Sequence, residues 1–490
     1  MNIKGISKKW FLVLLGIFLS SPAIVGAQTT DDVLRYSLEY PSYDPVSIVI
    51  PGVSSYTGFG AYQDNPAVMA LAPEGYLSFS LSSRFAEASG SYLGNTTEHS
   101  DNQTSVGDLG FVYKFPTTRG SLVFGGGYSQ TSDYNRALGA NGFNEASTIT
   151  DYYNSSLVSD DIYFTAYDAF AIYDPSPGDD DYSNTTSAFR ANGYEGIQQN
   201  LEMTERGQLG EYSAFLATEA AKNLFIGASV GISGGTYTYK RDFLESDRNN
   251  DYNNRSNNTD IDQILSYDTI DAKMQSFSAR LGLMYRPAEA WNIGVSYEFP
   301  SRLEIEEEYN TVITTTFDNG DVEEHDAPGE FTYEIIRPPR LKAGVTYTGN
   351  EKITLTAAAE SVFYTEAEYD EEGLSDYETQ LNNEIQSVFK DVVNFRGGIE
   401  YKMNEQFTPR VGYGYYADPT RGFDSSRQFI SGGFSTKISP NTSLDIGLQY
   451  GMWEDQNVIY SYESGNNVID EVVHEDVGRL NVMAGIKLAL

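Results

Sequence analysis

Residues 54–81 read SSYTGFGAYQDNPAVMALAPEGYLSFSL, and the stretch changes character near its middle. Up to Pro73 it is Gly-rich and irregular around Asn65-Pro66-Ala67, which suits a compact, non-repetitive plug. From Gly75 onward apolar and small polar residues alternate, as on a strand whose two faces meet different surroundings. The reading is a plug followed by the first stave of a membrane β-barrel, and the rest of the chain repeats that stave with different loops.

The repetition runs to the C-terminus. In 444–452, Leu444, Ile446, Leu448, Tyr450 and Met452 share one face, while Asp445, Gly447, Gln449 and Gly451 fill the other. Leu480, Val482, Ala484, Ile486, Leu488 and Leu490 repeat the pattern, as do 224–232, 277–285, 291–299, 341–347 and 395–401. A soluble antiparallel sheet also alternates, so the connections decide. Short ones at 116–119, 220–223, 287–290, 349–351, 403–406 and 439–441 alternate with long polar ones. The long ones span 93–104, 136–206, 240–270, 310–328, 370–387, 419–424 and 457–474. Short turns at one end and long loops at the other characterise outer membrane barrels.

The expected fold is therefore all-β: a transmembrane antiparallel β-barrel of about 14 strands over 76–490, with its largest loop at 136–206. An even count places both ends on the periplasmic side, so the plug at 28–75 enters the lumen from there. A disordered tail is the alternative for 28–73, opposed by the apolar content of 46–62.

Met1–Ala27 carries Lys4, Lys8 and Lys9, an apolar core over 10–19 and the small residues Val25-Gly26-Ala27. This is the layout of a secretory signal peptide cut before Gln28; a retained anchor would need an apolar run of about 20 residues. Loss of those three lysines takes the formal charge from -37 to -40. Phosphate backbones would be repelled, which excludes nucleic acid as a partner. Cysteine is absent, so neither disulfides nor thiolate metal sites hold the fold. The 37 Tyr and 26 Phe suit strands and a membrane interface, where one end of the ring is apolar and the other wet.

Gly58-Phe59-Gly60-Ala61, then Asp64-Asn65-Pro66-Ala67 and Met69-Ala70, resemble the FadL family of outer membrane transporters for long-chain fatty acids and aromatic hydrocarbons. The segments 122–135 (LVFGGGYSQTSDYN), 207–216 (GQLGEYSAFL), 292–303 (NIGVSYEFPSRL), 338–347 (PPRLKAGVTY) and 410–419 are similar to its strands, in the same order. The resemblance implies an N-terminal hatch closing the lumen, an external apolar groove that captures ligand, and a kink in the third strand that opens the wall sideways. On this chain the hatch motif falls on Asn65, Pro66 and Ala67, and the third strand carries Gly125, Gly126 and Gly127. Three glycines weaken a strand and permit a bend, although ordinary barrel curvature or close packing on the hatch would use them equally. Asn65-Pro66-Ala67 also reads as a simple turn.

The inward face limits the transfer. Asp108, Lys114, Arg280, Glu298, Lys342, Arg396, Glu400, Lys402, Arg410 and Asp445 make much of the lumen polar, so an apolar pocket must lie between hatch, upper barrel and loops. The chain also ends on Leu490 rather than an aromatic residue.

Chemistry-bearing residues are sparse. His99, His325 and His474 fall in or beside external loops and form neither a metal-ligand pair nor a nucleophile-base arrangement. The acidic runs Asp179-Asp180-Asp181, Glu306-Glu307-Glu308 and 247–262 read as solvated loops, since no calcium-loop spacing accompanies them. In the long loop, Ile162, Ala166, Ala169 and Tyr173 recur at helical spacing with Tyr163, Tyr167 and Phe170 nearby. That surface would collect a hydrophobic substrate or pack on a neighbour as a lid.

The functional expectation is a non-enzymatic, cofactor-free outer membrane channel for passive uptake of fatty acids or hydrocarbons. Its partners would be that hydrophobic ligand and outer membrane lipids, and the barrel would act as a monomer. A general or adhesin-like porin for polar solutes is the rival.

Overall fold

Alternating side chains become one antiparallel sheet closed on itself. It comprises β1 (Tyr76–Tyr92), β2 (Asn95–Phe115), β3 (Leu122–Asp133) and its continuation β4 (Arg136–Asn144), β5 (Ile197–Ala221), β6 (Leu224–Ser246) and β7 (Ile261–Ala288). Then follow β8 (Trp291–Glu298), prolonged upward by β9 (Ser301–Phe317), and β10 (Val322–Arg337), which descends into β11 (Arg340–Gly349). The circuit ends with β12 (Ile353–Val362), β13 (Val392–Tyr401), β14 (Phe407–Tyr416), β15 (Arg427–Ser439), β16 (Thr442–Ser464) and β17 (Asn467–Ala489). β1 pairs with β17 from Tyr76↔Ala489 to Ser91↔His474, and this closes a barrel of 14 staves. The computed structural model describes residues 29–39, 43–174, 185–187, 189–190, 193–252, 260–349, 352–370 and 376–490. The expected signal peptide and Asp179-Asp180-Asp181 lie outside the described residues.

Three expected loops are strands instead. Residues 93–104, 310–328 and 457–474 belong to hairpins whose ladders continue to tight turns at 93–94, 318–321 and 465–466. The reason is physical: above the membrane the outward face of a hairpin meets water instead of lipid, so the alternation fades while backbone pairing persists, even where the inner face stays buried as at Ile313, Ile459 and Val473. Glu306, Glu307 and Glu308 likewise sit on β9 rather than in a loop. Proline marks the bends in the long staves, Pro300 between β8 and β9 and Pro338-Pro339 between β10 and β11, because it cannot donate to a ladder.

The outward face carries the apolar belt, including Leu77, Phe79, Leu81 and Phe85 on β1 and Leu109 and Phe111 on β2. Aromatic residues gather at the short-turn end: Trp291 and Tyr347 meet at 4.8 Å, and Tyr285, Tyr401 and Phe115 face outward near the short turns of other staves. Inside, the lumen has two tiers. The lower one holds the N-terminal segment 43–73, largely buried against the wall. The upper one is a continuous apolar cluster that reaches from Tyr36 and Tyr134 to Ile305, Tyr333 and Tyr369. Helix α1 (Thr30–Ser37), started by a capping box between Thr29 and Asp32, inserts Val33 and Tyr36 into that cluster.

Leu281 points outward from the lower part of β7 and is 53% exposed, so it marks the belt. Leu281→Arg is expected to cost about 2–4 kcal/mol in denaturant unfolding from lipid vesicles. Val312→Arg, higher on the outward side of β9, should change stability far less. Equal effects at both positions would contradict this placement of the membrane.

Candidate hydrophobic-ligand site

The floor of the site is the N-terminal segment and the wall that seats it. Asn65 is fully buried with extended backbone and caps the short 3-10 helix Pro66–Leu71, its Oδ1 accepting from the Ala67 amide at 2.9 Å. Its Nδ2 donates to the Val53 carbonyl at 2.7 Å and to the Leu283 carbonyl of β7 at 3.2 Å. One amide thus starts a helix, holds a neighbouring turn and bonds the barrel wall. The wall accepts it because its facing residues lack side chains: a Cβ on Gly282 would lie 2.0 Å from Asn65 Oδ1, and one on Gly294 only 1.9 Å from the Val53 carbonyl oxygen. Beside Asn65, Asp64 accepts from the Gly52 amide at 2.7 Å and faces Lys342 at 3.6 Å and Arg396 at 3.5 Å. The inward charges expected from the sequence are therefore partly the electrostatic seat of this segment.

The side wall of the site is a break in the ladder. β5 stays paired first to β3 and then to β4, but β2 pairs with β3 only from Phe115↔Leu122 up to Asp108↔Ser129. That last pair lies below the outward residues Phe85 and Leu480, so the break begins within the apolar belt. Above it β3 bulges at 130–132, and β4 turns inward to pack on β1 and β2. Side chains replace the ladder across the break. Ser105 donates to Gln130 at 2.8 Å, Asn135 donates to Asp101 at 2.7 Å, and Arg206 clasps the same Asp101 at 2.5 and 2.8 Å.

Gly125, Gly126 and Gly127 are not at the bend. They pair on both sides, with Val112, Phe111 and Gly110 of β2 and with Phe215, Ala214 and Ser213 of β5. A Cβ on Gly125 would meet the Phe215 ring at 2.4 Å, and one on Gly127 the Leu109 carbonyl oxygen at 2.2 Å. These glycines keep β3 close to its neighbours just below the point where it departs.

What holds the departed end is Asp133, which the sequence did not single out. Its carboxylate faces Arg84 of β1 at 3.2 Å, pairs with Arg479 of β17 and accepts from the Tyr43 hydroxyl at 3.0 Å. All four residues are buried. β3 is thereby tied past its own neighbour, to strands on the far side of β2.

Above this cluster lies a cavity of about 380 Å³ between α1, the bend at 133–137 and the upper ends of β5, β15, β16 and β17. Leu34, Leu38, Tyr134, Met203, Trp453 and Val477 supply its apolar lining. Four arginines also reach it, and each is engaged: Arg35 with Asp32 and with Glu205 at 3.6 Å, Arg136 with Glu475 and with Glu205 at 3.1 Å, Arg479 with Asp133, and Arg427 over the Trp453 ring at 5.5 Å. Asp31, Asp133, Glu205 and Asp455 line the same space. Burial raises the Asp31 carboxyl above its ordinary range, against the pull of Arg35.

The long external loop roofs the barrel mouth. In α2 (Asp160–Asp168), Ile162 and Ala166 are turned inward against β9 and β10; Tyr163 and Tyr167, and Tyr173 just after the helix, are partly buried. Only Phe170 of the expected capture residues is exposed, at 52%. An apolar stripe over an open barrel mouth gains more by covering upper strands than by facing water, so it packs as a lid. His99, His325 and His474 lie on the upper strands rather than together.

Gly294→Val is expected to unseat the segment 43–73 without preventing barrel closure. The check is protease cleavage of that segment together with single-channel conductance, both of which should rise in a variant that retains heat-modifiable gel mobility. Unchanged protection in the folded variant would contradict the close seat.

Residues 208–479, more than half of the chain, match the family model described as outer membrane protein transport protein (OMPP1/FadL/TodX). No curated protein matched the sequence. Among solved structures, the P. putida toluene transporter TodX is similar with a TM-score of 0.53 and 14% identity, over 92% of this chain and 99% of its own. A Pseudomonas aeruginosa FadL homologue has a TM-score of 0.54 and 11% identity over the same shares. At such identities the likeness is one of fold, and it agrees with the 14-stave barrel found here. By its family match, the chain is a member of the OMPP1/FadL/TodX family of outer membrane transport proteins.

Proposed function

We propose that this protein takes up small, uncharged hydrophobic molecules and passes them through the break between β2 and β3 into the surrounding lipid. The observation that carries the reading is the adjacency of the 380 Å³ cavity to a ladder break within the apolar belt. A cavity of that size falls in the range of small-molecule sites. The segment 28–75 would act as the hatch beneath it, gating the way down, and the barrel would act alone, without cofactor or catalysis. Transfer needs no energy source, because an apolar solute gains by leaving water for lipid.

The charge pattern favours a neutral ligand over a fatty acid anion. A bound carboxylate would share the cavity with Asp31, Asp133, Glu205 and Asp455, and to gain a cation it would have to break an arginine ion pair or draw Arg427 away from the Trp453 ring. Breaking one member out of such a pair costs about 3–5 kcal/mol. A hydrocarbon, or an aromatic with at most a neutral polar group, meets no such cost.

The mature chain offers a convenient reporter. Beyond Trp10 of the leader, its tryptophans are Trp291 on the lipid face and Trp453 at the cavity, so Trp291→Phe leaves Trp453 alone. Neutral N-phenyl-1-naphthylamine is expected to quench Trp453 saturably, with affinity at least about tenfold tighter than the anionic analogue 8-anilino-1-naphthalenesulfonate. Saturation by neither, together with steady conductance in planar bilayers, would favour the porin reading. Preference for the sulfonate would overturn the neutral-ligand assignment.

A further inference from the structure

Among the described residues of the N-terminal segment, Tyr43 touches both sides of the wall break. Its hydroxyl donates to Asp133 at the departed end of β3. Its carbonyl abuts Gly107 of β2, so closely that a Cβ there would sit 2.6 Å from the oxygen. Gly107 is itself the extra residue of the bulge in the β1–β2 ladder, next to Asp108, whose pairing with Ser129 is the last before the break. The ring lies under the Arg84 guanidinium at 5.2 Å, and Tyr43 packs with Ile48, Val49, Ile50 and Met483. Tyr43 also lines a second, polar cavity of about 60 Å³ shared by the N-terminal segment and the wall, whereas its partner Asp133 lines the large one.

We infer that Tyr43 is the positioning residue for the transfer step: a wedge that sets the width of the break and links it to the seating of the hatch. The inference rests on the lateral-exit reading above. While the hydroxyl is on Asp133 and the backbone is against Gly107, the two edges stay at the spacing bridged by Ser105–Gln130 and Asp101–Asn135. Any shift of the segment 43–53 must move the Tyr43 carbonyl off Gly107 or pull its hydroxyl from Asp133. Exit into lipid is therefore coupled to hatch position through one side chain, while the cavity that binds the ligand is built from other residues.

Two folded variants separate the step from binding. Tyr43→Phe keeps the ring and removes the bond to Asp133; Gly107→Ala leaves Tyr43 intact and displaces its carbonyl. Both are made in the Trp291→Phe background and reconstituted in lipid vesicles, with barrel folding confirmed by gel mobility. Equilibrium quenching of Trp453 by N-phenyl-1-naphthylamine reads binding, and decay of the Trp453-sensitised probe signal after rapid mixing reads transfer to the bilayer. The expected result is affinity within about twofold of the parent and transfer faster by about tenfold or more in Tyr43→Phe, the scale of one lost hydrogen bond to a charged group. Gly107→Ala should change transfer with the same disregard for affinity. Transfer rates equal to the parent in both variants, with saturable quenching intact, would overturn the role of Tyr43. Absence of saturable quenching in the parent as well would instead remove the underlying cavity reading.

Discussion

The carboxylate of Asp133, buried between Arg84 and Arg479, is the constraint on which the upper half of the barrel depends. A closed barrel satisfies its backbone through neighbouring strands, and within lipid each unpaired group is costly. β3 nevertheless gives up β2 inside the apolar belt, so something must hold its freed end. The ion pairs to β1 and β17 do that, and β5 keeps the other edge fully laddered. A buried charge cluster of this kind is a poor source of net stability, because desolvation offsets most of the attraction. Its use is geometric: with two arginines fixed on paired strands, the β3 end is held where Asp133 meets both.

The same economy governs the floor. Inner-face glycines at 282 and 294 let the backbone of the N-terminal segment lie directly on the wall, where Asn65 bonds both its own turn and β7. Charges then complete the seat, with Asp64 against Lys342 and Arg396. The cavity forms above this floor, beside α1.

Much of this was legible in the sequence and some could not be. Period two in stretches such as 444–452, with short turns alternating with long connections, identified the barrel and its number of staves, because each pattern follows directly from a sheet with one face in lipid. The wet hairpins escaped, since at Glu306, Glu307 and Glu308 neither face is apolar and alternation carries no information. Gly125-Gly126-Gly127 reads equally as a site for a bend or for close packing, and the bend comes a few residues later, where a bulge and an acidic side chain act rather than glycine. Helical spacing at Ile162 and Ala166 was readable; which way that face turns depended on the barrel mouth beneath it. Arg84, Asp133 and Arg479 are far apart in the chain and meet only because β1 closes on β17 and β3 bends inward, so no local pattern announces them.

The central claim is that ligand leaves the cavity through the wall and not through the floor. The most direct test follows a neutral aromatic solute across vesicles that carry the barrel in defined orientation, with separate reporters in the bilayer and in the enclosed water. The account predicts that the protein accelerates arrival in the bilayer, and that the enclosed water fills only at the rate set by subsequent escape from lipid. Protein-dependent arrival in the enclosed water ahead of the bilayer, accompanied by entry of a polar solute of similar size, would contradict it.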